Sequence, residues 1–189
     1  TFLEVDISKK QTNQNTYWSI PEINTKITHN EEYYFQKLDS ILNSSIKKQL
    51  VSDAPLGVFL SGGLDSSILS SIAAKNISGK LKTYSVGFKE KKYDETHKAR
   101  TIAKHINSEH TEVFVGKEDF FNNIEKIIEV KDVPLSIPHE YPLYLLSKKM
   151  KQDIKVVLSG EGADEFFGGY ARVQNSPIDF VKANFILKF

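Results

Sequence analysis

Hydrophobic positions along this chain switch repeatedly between a helical period and short unbroken apolar runs. From about Asn30 to Leu50, Tyr34, Leu38, Ile41, Leu42 and Ile46 fall on one helical face, and Thr28-x-x-Glu31 offers a capping box at its start. Leu56-Gly57-Val58-Phe59-Leu60 reads as a strand buried on both faces. Ile68, Leu69, Ile72, Ala73 and Ile77 return to helical spacing up to Gly79, and Leu81 to Phe88 is a β-branched and aromatic strand. Ala99, Ile102, Ala103 and Ile106 predict a helix, Glu109 to Val115 a strand, and Phe120, Phe121, Ile124, Ile127 and Ile128 another helix. Pro134 and Pro138 interrupt the chain before a helix carrying Tyr144, Leu145 and Met150, and Ile154 to Leu158 is a last short strand. The order βαβαβααβ predicts an α/β fold, an open, mainly parallel sheet with helices on both faces.

Outside this repeat the composition changes. Residues 1–27 carry Gln, Asn, Thr and Lys with few apolar positions and read as a linker, with one aromatic island at Thr16-Tyr17-Trp18-Ser19-Ile20-Pro21. The repeat itself occupies residues 28–175. Residues 176–189, with Phe180, Val181, Phe185, Ile186 and Leu187, look like the start of a helical part with little chain left to cover it. A first residue of Thr1 and this apolar end lead us to expect a piece of a longer protein, missing chain at both ends.

Charge and rarer residues narrow the chemistry. The 189 residues are 40% hydrophobic and 26% charged, enough for one domain with a sizeable core. A net charge of +1 with interspersed signs argues against nucleic acid and anionic membrane as partners, so any phosphate site must be local. No apolar run approaches a membrane span and no basic-then-apolar leader opens the chain, so a cytoplasmic location is expected. The absence of cysteine excludes a disulfide framework, a thiolate zinc site and a cysteine nucleophile within this chain. His29, His97, His105, His110 and His139 show no metal-ligand spacing and read as surface or packing residues.

Two glycine-rich loops carry the candidate chemistry. The first, Ser61-Gly62-Gly63-Leu64-Asp65-Ser66-Ser67, lies between a strand and a helix, where unpaired N–H donors at the helix start join those of a glycine turn in a site for an oxyanion or phosphate. Asp65 already satisfies the helix dipole, so a pyrophosphate beside it calls for a divalent cation as well, which points to Mg²⁺ with ATP. The second, Ser159-Gly160-Glu161-Gly162-Ala163-Asp164-Glu165 followed by Gly168-Gly169-Tyr170, gathers three carboxylates among glycines, a composition suited to a cation or polar substrate. Both loops follow strands, and ligands of open parallel sheets sit beyond the strands' carboxyl ends.

The first loop fails the Walker pattern, lacking its lysine, and resembles instead the PP-loop SGGxDS of ATP pyrophosphatases. With SGEGADE and Gly168-Gly169-Tyr170, the pair resembles the signatures of glutamine-dependent asparagine synthetases over roughly residues 16–175. The resemblance implies the adenine-nucleotide alpha hydrolase-like fold, with the two signature strands side by side. It further implies that Leu60 and Val86 contact the adenine nucleotide, that Ser61, Gly62, Gly63, Asp65, Ser66 and Ser67 hold pyrophosphate and Mg²⁺, and that Ser159 and Gly160 add ATP contacts. Glu161 would support adenylate formation and its attack by ammonia, with Asp65 and Asp164 acidic partners of the metal and the reaction. Tyr93-Asp94-Glu95 and Tyr144-Leu145-Leu146-Ser147-Lys148 fit the family as framework.

The chemistry so implied is carboxylate activation. The β-carboxylate of aspartate attacks the α-phosphorus of ATP, pyrophosphate leaves, and ammonia displaces AMP to give asparagine. Ammonia would come from glutamine through a glutaminase domain absent from this chain or from free ammonia, and the resemblance allows a homodimer of the full-length protein. In the family a downstream helical region completes the substrate pocket and supplies a lysine, and nothing after Gly169-Tyr170 provides it convincingly. The chain by itself is therefore expected to bind ATP without making asparagine. Three rival readings share the loops: a β-lactam synthetase-like or other enzyme amidating a sugar or antibiotic acid, a tRNA-modifying relative, and a non-catalytic nucleotide-binding remnant. The second would need basic surface or cysteines that the chain lacks.

Overall fold

A computed structural model describes residues 1–20 and 28–170. The apolar set from Phe180 to Leu187 lies outside the described residues. Two compact units divide the chain at Asp39 and Ser40.

In the first unit, strands β1 (Phe2–Asp6) and β2 (Gln11–Asn15) pair antiparallel, Phe2 opposite Asn15 and Asp6 opposite Gln11. The Asp6 carboxylate holds the turn, accepting from the Ser8 hydroxyl at 2.7 Å and the Lys9 N–H at 3.0 Å. Both strands are exposed almost throughout, so the stretch read as linker carries regular structure that its polar composition did not announce. Helix α1 (Glu31–Gln49) begins in this unit. Its cap is Asn30, whose Oδ1 accepts from the Tyr33 N–H at 3.0 Å, rather than Thr28, whose own N–H donates to the Tyr34 hydroxyl.

The second unit is the α/β domain. Strands β3 (Leu56–Phe59), β4 (Lys82–Phe88), β5 (Glu109–Val115) and β6 (Val156–Leu158) form one parallel sheet in the order β5-β4-β3-β6. Helices α2 (Leu64–Asn76), α3 (Thr96–His105), α4 (Lys117–Lys131), α5 (Glu140–Met150) and the short α6 (Ala163–Phe167) connect them.

Strand progress from β3 through β4 to β5 runs one way, and the return to β6 runs the other, so right-handed crossovers must put the two sets of helices on opposite faces. The core agrees. Leu56 and Val58 pack with Ile46 of α1 and with Ile72 and Ala73 of α2, and Leu60 packs with Ala99 and Ala103 of α3. On the other face Tyr84 packs with Leu146 and Met150 of α5, and Val115 with Ile127 of α4 and Tyr141. Being covered on both sides, β3 is an unbroken apolar run.

One polar network crosses the α3 face. The His110 ring pairs with Thr83 Oγ1 at 2.9 Å through Nδ1 and with Ser85 Oγ at 3.2 Å through Nε2, and Thr83 meets Ser108 at 2.8 Å. Glu112 stands 3.5 Å from the ring but is engaged by Arg100, whose Nε and NH2 donate to its two oxygens at 2.9 and 2.8 Å. Burial pushes the His110 pKa below its ordinary value; Glu112 pulls the other way and Arg100 reinforces the burial. Burial prevails because the glutamate's charge is already shared with the guanidinium, so the fold favours the neutral ring.

A ring held neutral when folded takes up its proton more readily when unfolded, so stability rises with pH. His110's contribution is complete above about pH 7 and is lost as pH falls through the unfolded value of about 6.5 toward the lower folded value. Thermal unfolding between pH 8 and 5 should show this decline, with a shallower slope for His110→Gln. Equal slopes for the two proteins would remove His110 from the pH dependence.

Candidate functional site

The two glycine loops meet. Strand β3 pairs in parallel with β6, Val58 opposite Leu158, so the loop after Leu60 and the loop after Leu158 leave the same edge of the sheet side by side. Because β4 lies on one side of β3 and β6 on the other, this edge is where the strand order reverses. Connections diverge there to opposite faces and open a crevice for ligands.

The first loop rests on backbone. Leu60 donates its N–H to the Tyr84 carbonyl at 2.8 Å, the last such link before the chain turns. Gly62 then adopts φ +82°, and a Cβ built on it would stand 2.5 Å from the Ala99 nitrogen and 2.7 Å from the Lys98 carbonyl carbon. Only glycine satisfies both the angle and the contact. Leu60 and Ala99 are fully buried and share a cluster, so the loop is seated on α3 at two adjoining points.

Serine hydroxyls brace the turn. Ser61 Oγ and Ser66 Oγ are 2.9 Å apart, the Gly63 N–H donates to Ser61 Oγ at 3.2 Å, and the Ser61 N–H donates to Ser66 Oγ at 3.3 Å. Ser66 and Ser67 hydroxyls both donate to the Gly63 carbonyl, at 3.2 and 2.6 Å. The N–H groups of Gly62, Leu64, Asp65 and Ser66 have no acceptor among the described residues. Four donors thus collect at the start of α2, where the helix dipole is positive. Asp65, exposed, sits in the first turn of the same helix.

The second loop abuts the first. A Cβ on Gly160 would lie 3.3 Å from the Asp65 Cβ and 3.4 Å from the Ser66 nitrogen. Glycine at this position lets the loop backbone approach the helix start closely. Ser159 and Glu161 are exposed, and Asp164, half-buried, belongs to the first turn of α6. The Glu165 carboxylate accepts from the Tyr170 hydroxyl at 2.7 Å, and the Gly169 N–H donates to the Asp164 carbonyl at 3.1 Å, closing the loop over its own helix.

Leu60, Ser61, Gly62, Gly63, Asp65, Ser66 and Ser67 therefore share one loop, and Gly160 touches it. Val86 is separate. It lies on β4, half-buried against the Tyr84 and Val115 clusters on the α4–α5 face, while Leu60 packs on the α3 face. Among the described residues no group of three or more His, Cys, Asp or Glu side chains stands ready to hold an ion. Missed from the sequence were Lys98 and Ala99, whose backbone carries the loop; no local spacing marks a helix backbone as a support.

A separate concavity of about 620 Å³ opens at the carboxyl ends of β4 and β5. It is lined mainly by apolar and aromatic groups, Phe88, Tyr93, Val115, Phe120, Ile137 and Tyr141 among them. Tyr141 anchors its wall by donating to the Gly116 carbonyl at 2.8 Å.

Comparison with known proteins gives this geometry a context. The chain is 39% identical over 140 residues to asparagine synthetase [glutamine-hydrolyzing] 1 of Bacillus subtilis, covering 74% of this chain and 22% of that protein. It is 32% identical over 179 residues to the putative asparagine synthetase [glutamine-hydrolyzing] 2 of Methanocaldococcus jannaschii, covering 94% and 34%. The chain thus spans between about a fifth and about a third of the length of these relatives. Among solved structures, the glutamine-dependent NAD⁺ synthetase of Acinetobacter baumannii in complex with ADP superposes with TM-score 0.52 at 17% identity, over 89% of this chain and 31% of that one, a likeness of fold. The fold is the mainly parallel α/β architecture of PP-loop synthetases. The asparagine synthase family model matches residues 37–183, nearly the whole α/β unit with both loops, and this chain belongs to that family.

Proposed function

We propose that this chain is the nucleotide-binding part of an ATP-dependent amidating ligase that activates the side-chain carboxylate of aspartate as an acyl-adenylate for attack by ammonia. The observation that carries this reading is the contact of the two glycine loops at the sheet's switch point, with four unpaired N–H donors at the start of α2. The names of the relatives, asparagine synthetases described as glutamine-hydrolyzing, support aspartate as acceptor and glutamine as the source of ammonia. Among the described residues no helix is long and apolar enough to cross a membrane, which is compatible with the expected cytoplasmic setting.

In this reading Ser61, Gly62, Gly63, Ser66 and Ser67 receive the pyrophosphate half of ATP, with backbone N–H groups taking up charge as it leaves. Leu60, Val86, Ser159 and Gly160 contact the rest of the nucleotide. Asp65 and Asp164 would hold Mg²⁺ in this reading, since that ion is typically bound by one or two carboxylates together with substrate phosphates rather than by a complete protein cage. Bound there, the ion would neutralise the β- and γ-phosphate oxygens. Glu161, exposed beside the loop contact, would in this reading accept a proton from ammonia as it attacks the mixed anhydride and AMP departs. Holding carboxylate and α-phosphorus in line contributes the remainder.

A second acceptor has one observation in its favour. The 620 Å³ concavity on the same sheet edge is walled by aromatic and branched side chains, which suit an acid with an apolar body better than aspartate. Pyrophosphate release by the intact protein with a panel of carboxylic acids separates the two, aspartate alone supporting the first reading. No pyrophosphate release with any acid would leave a nucleotide-binding remnant.

Asp65→Asn should weaken Mg²⁺-dependent ATP binding by about 1.5 to 3 kcal/mol, the value of one charge-assisted contact. Calorimetric titration with and without Mg²⁺ measures this, and equal affinities at saturating Mg²⁺ would take Asp65 out of the site. Glu161→Gln in the intact enzyme should leave ATP affinity within about twofold and lower kcat, the signature of a lost transition-state interaction. Loss of ATP binding with unimpaired single-turnover chemistry would contradict that role.

A further inference from the structure

The phosphate loop does not hold its own position. Its tightest contact is with the first turn of α3, where the backbone of Lys98 and Ala99 leaves no room for a Cβ on Gly62. The height of α3 over the sheet therefore sets where the loop's N–H groups stand. One residue beyond that contact, Arg100 reaches across to β5 and grips both oxygens of Glu112 in a fork. The same guanidinium donates to Thr96 Oγ1 at 3.2 Å, and that hydroxyl donates to Asp94 at 3.0 Å, so the pair also fixes the start of α3. Glu112 is mostly enclosed, with 16% of its side chain exposed, whereas the Arg100 side chain is 58% exposed. A half-exposed pair of this kind contributes little to global stability. Its planar, bidentate geometry nevertheless fixes distance and orientation in a way that a lysine's point charge does not.

We propose that Arg100 and Glu112 are positioning residues for the phosphate loop, clamping α3 to β5 so that the Lys98–Ala99 backbone holds Gly62 at the height at which phosphate is bound. The inference rests on the reading of the loop as an ATP site. The nearest alternative, that the pair only ties a surface helix to the sheet, predicts a different pattern of binding.

The intact protein carrying Arg100→Met, Arg100→Lys or Glu112→Gln is titrated with ATP and separately with adenosine. Loosening the clamp should weaken ATP about three- to tenfold in Arg100→Met, the range of couplings carried through a packed element, while adenosine affinity stays within about twofold. Glu112→Gln should follow Arg100→Met, and Arg100→Lys should recover only part of the loss. Amide hydrogen exchange of the ligand-free proteins supplies a reading independent of nucleotide, with faster exchange expected at Ser61 and Gly63, whose N–H groups are hydrogen-bonded within the turn, in Arg100→Met and unchanged exchange in the β3–β4 ladder. If wild type binds no ATP while these amides still respond, the ATP reading fails and the clamp stands. Equal losses for ATP and adenosine, or loop amides indifferent to all three substitutions, would overturn the clamp.

Discussion

Everything at the candidate site depends on one steric constraint, the seating of Gly62 on the backbone of α3. Two main chains approach there without a side chain between them, and the positive φ of Gly62 turns the strand directly into the start of α2. A larger residue would have to push α3 away from the sheet, and Leu60, Ala99 and Ala103 would lose their packing with it. The loop and the core beneath it are thus a single packed object. The serine hydroxyls then finish locally what this contact begins, tying Ser61, Gly63, Ser66 and Ser67 into one turn.

How legible this was in the sequence depended on the distance over which each feature is encoded. Strand, loop and helix from Leu56 to Asn76 are local, and apolar runs followed by helical spacing announced them. The sheet's mainly parallel character followed from the alternation of elements. The pairing of β3 with β6 was not readable from these residues, since nothing in Val156-Val157-Leu158 names its neighbour; only resemblance suggested it. The β1–β2 hairpin was missed because its residues bury almost nothing, and Gln-Thr-Asn-Gln-Asn has no apolar side to alternate with. The start of α1 was misassigned by a choice among several possible caps, Asn30 outcompeting Thr28. Arg100 and Glu112 are a cross-element pair with no spacing rule to reveal them. His110, read as a surface or packing residue, proved to be packing of a polar kind, tying two strands through Thr83 and Ser85.

The two faces of the sheet carry different duties. On the α2–α3 face, short side chains and close backbone contacts fix the first glycine loop. On the α4–α5 face, aromatic residues line a broad concavity that reaches the same edge by way of β4 and β5. This separation lets the aromatic face of such a domain vary in sequence while the glycine-loop face keeps its geometry, the pattern by which one scaffold serves several chemistries.

The pairing of Val58 with Leu158 has a kinetic consequence as well. These partners are about a hundred residues apart, and everything between them must be threaded over both faces before they can meet. The first loop can assemble early from contiguous chain, but the second arrives only when the last strand closes the sheet. Loop-closure entropy opposes that step until the contacts are complete. The contact between the loops is therefore made late in folding, and a chain emerging from the ribosome would carry a finished first turn for some time before the second loop reached it.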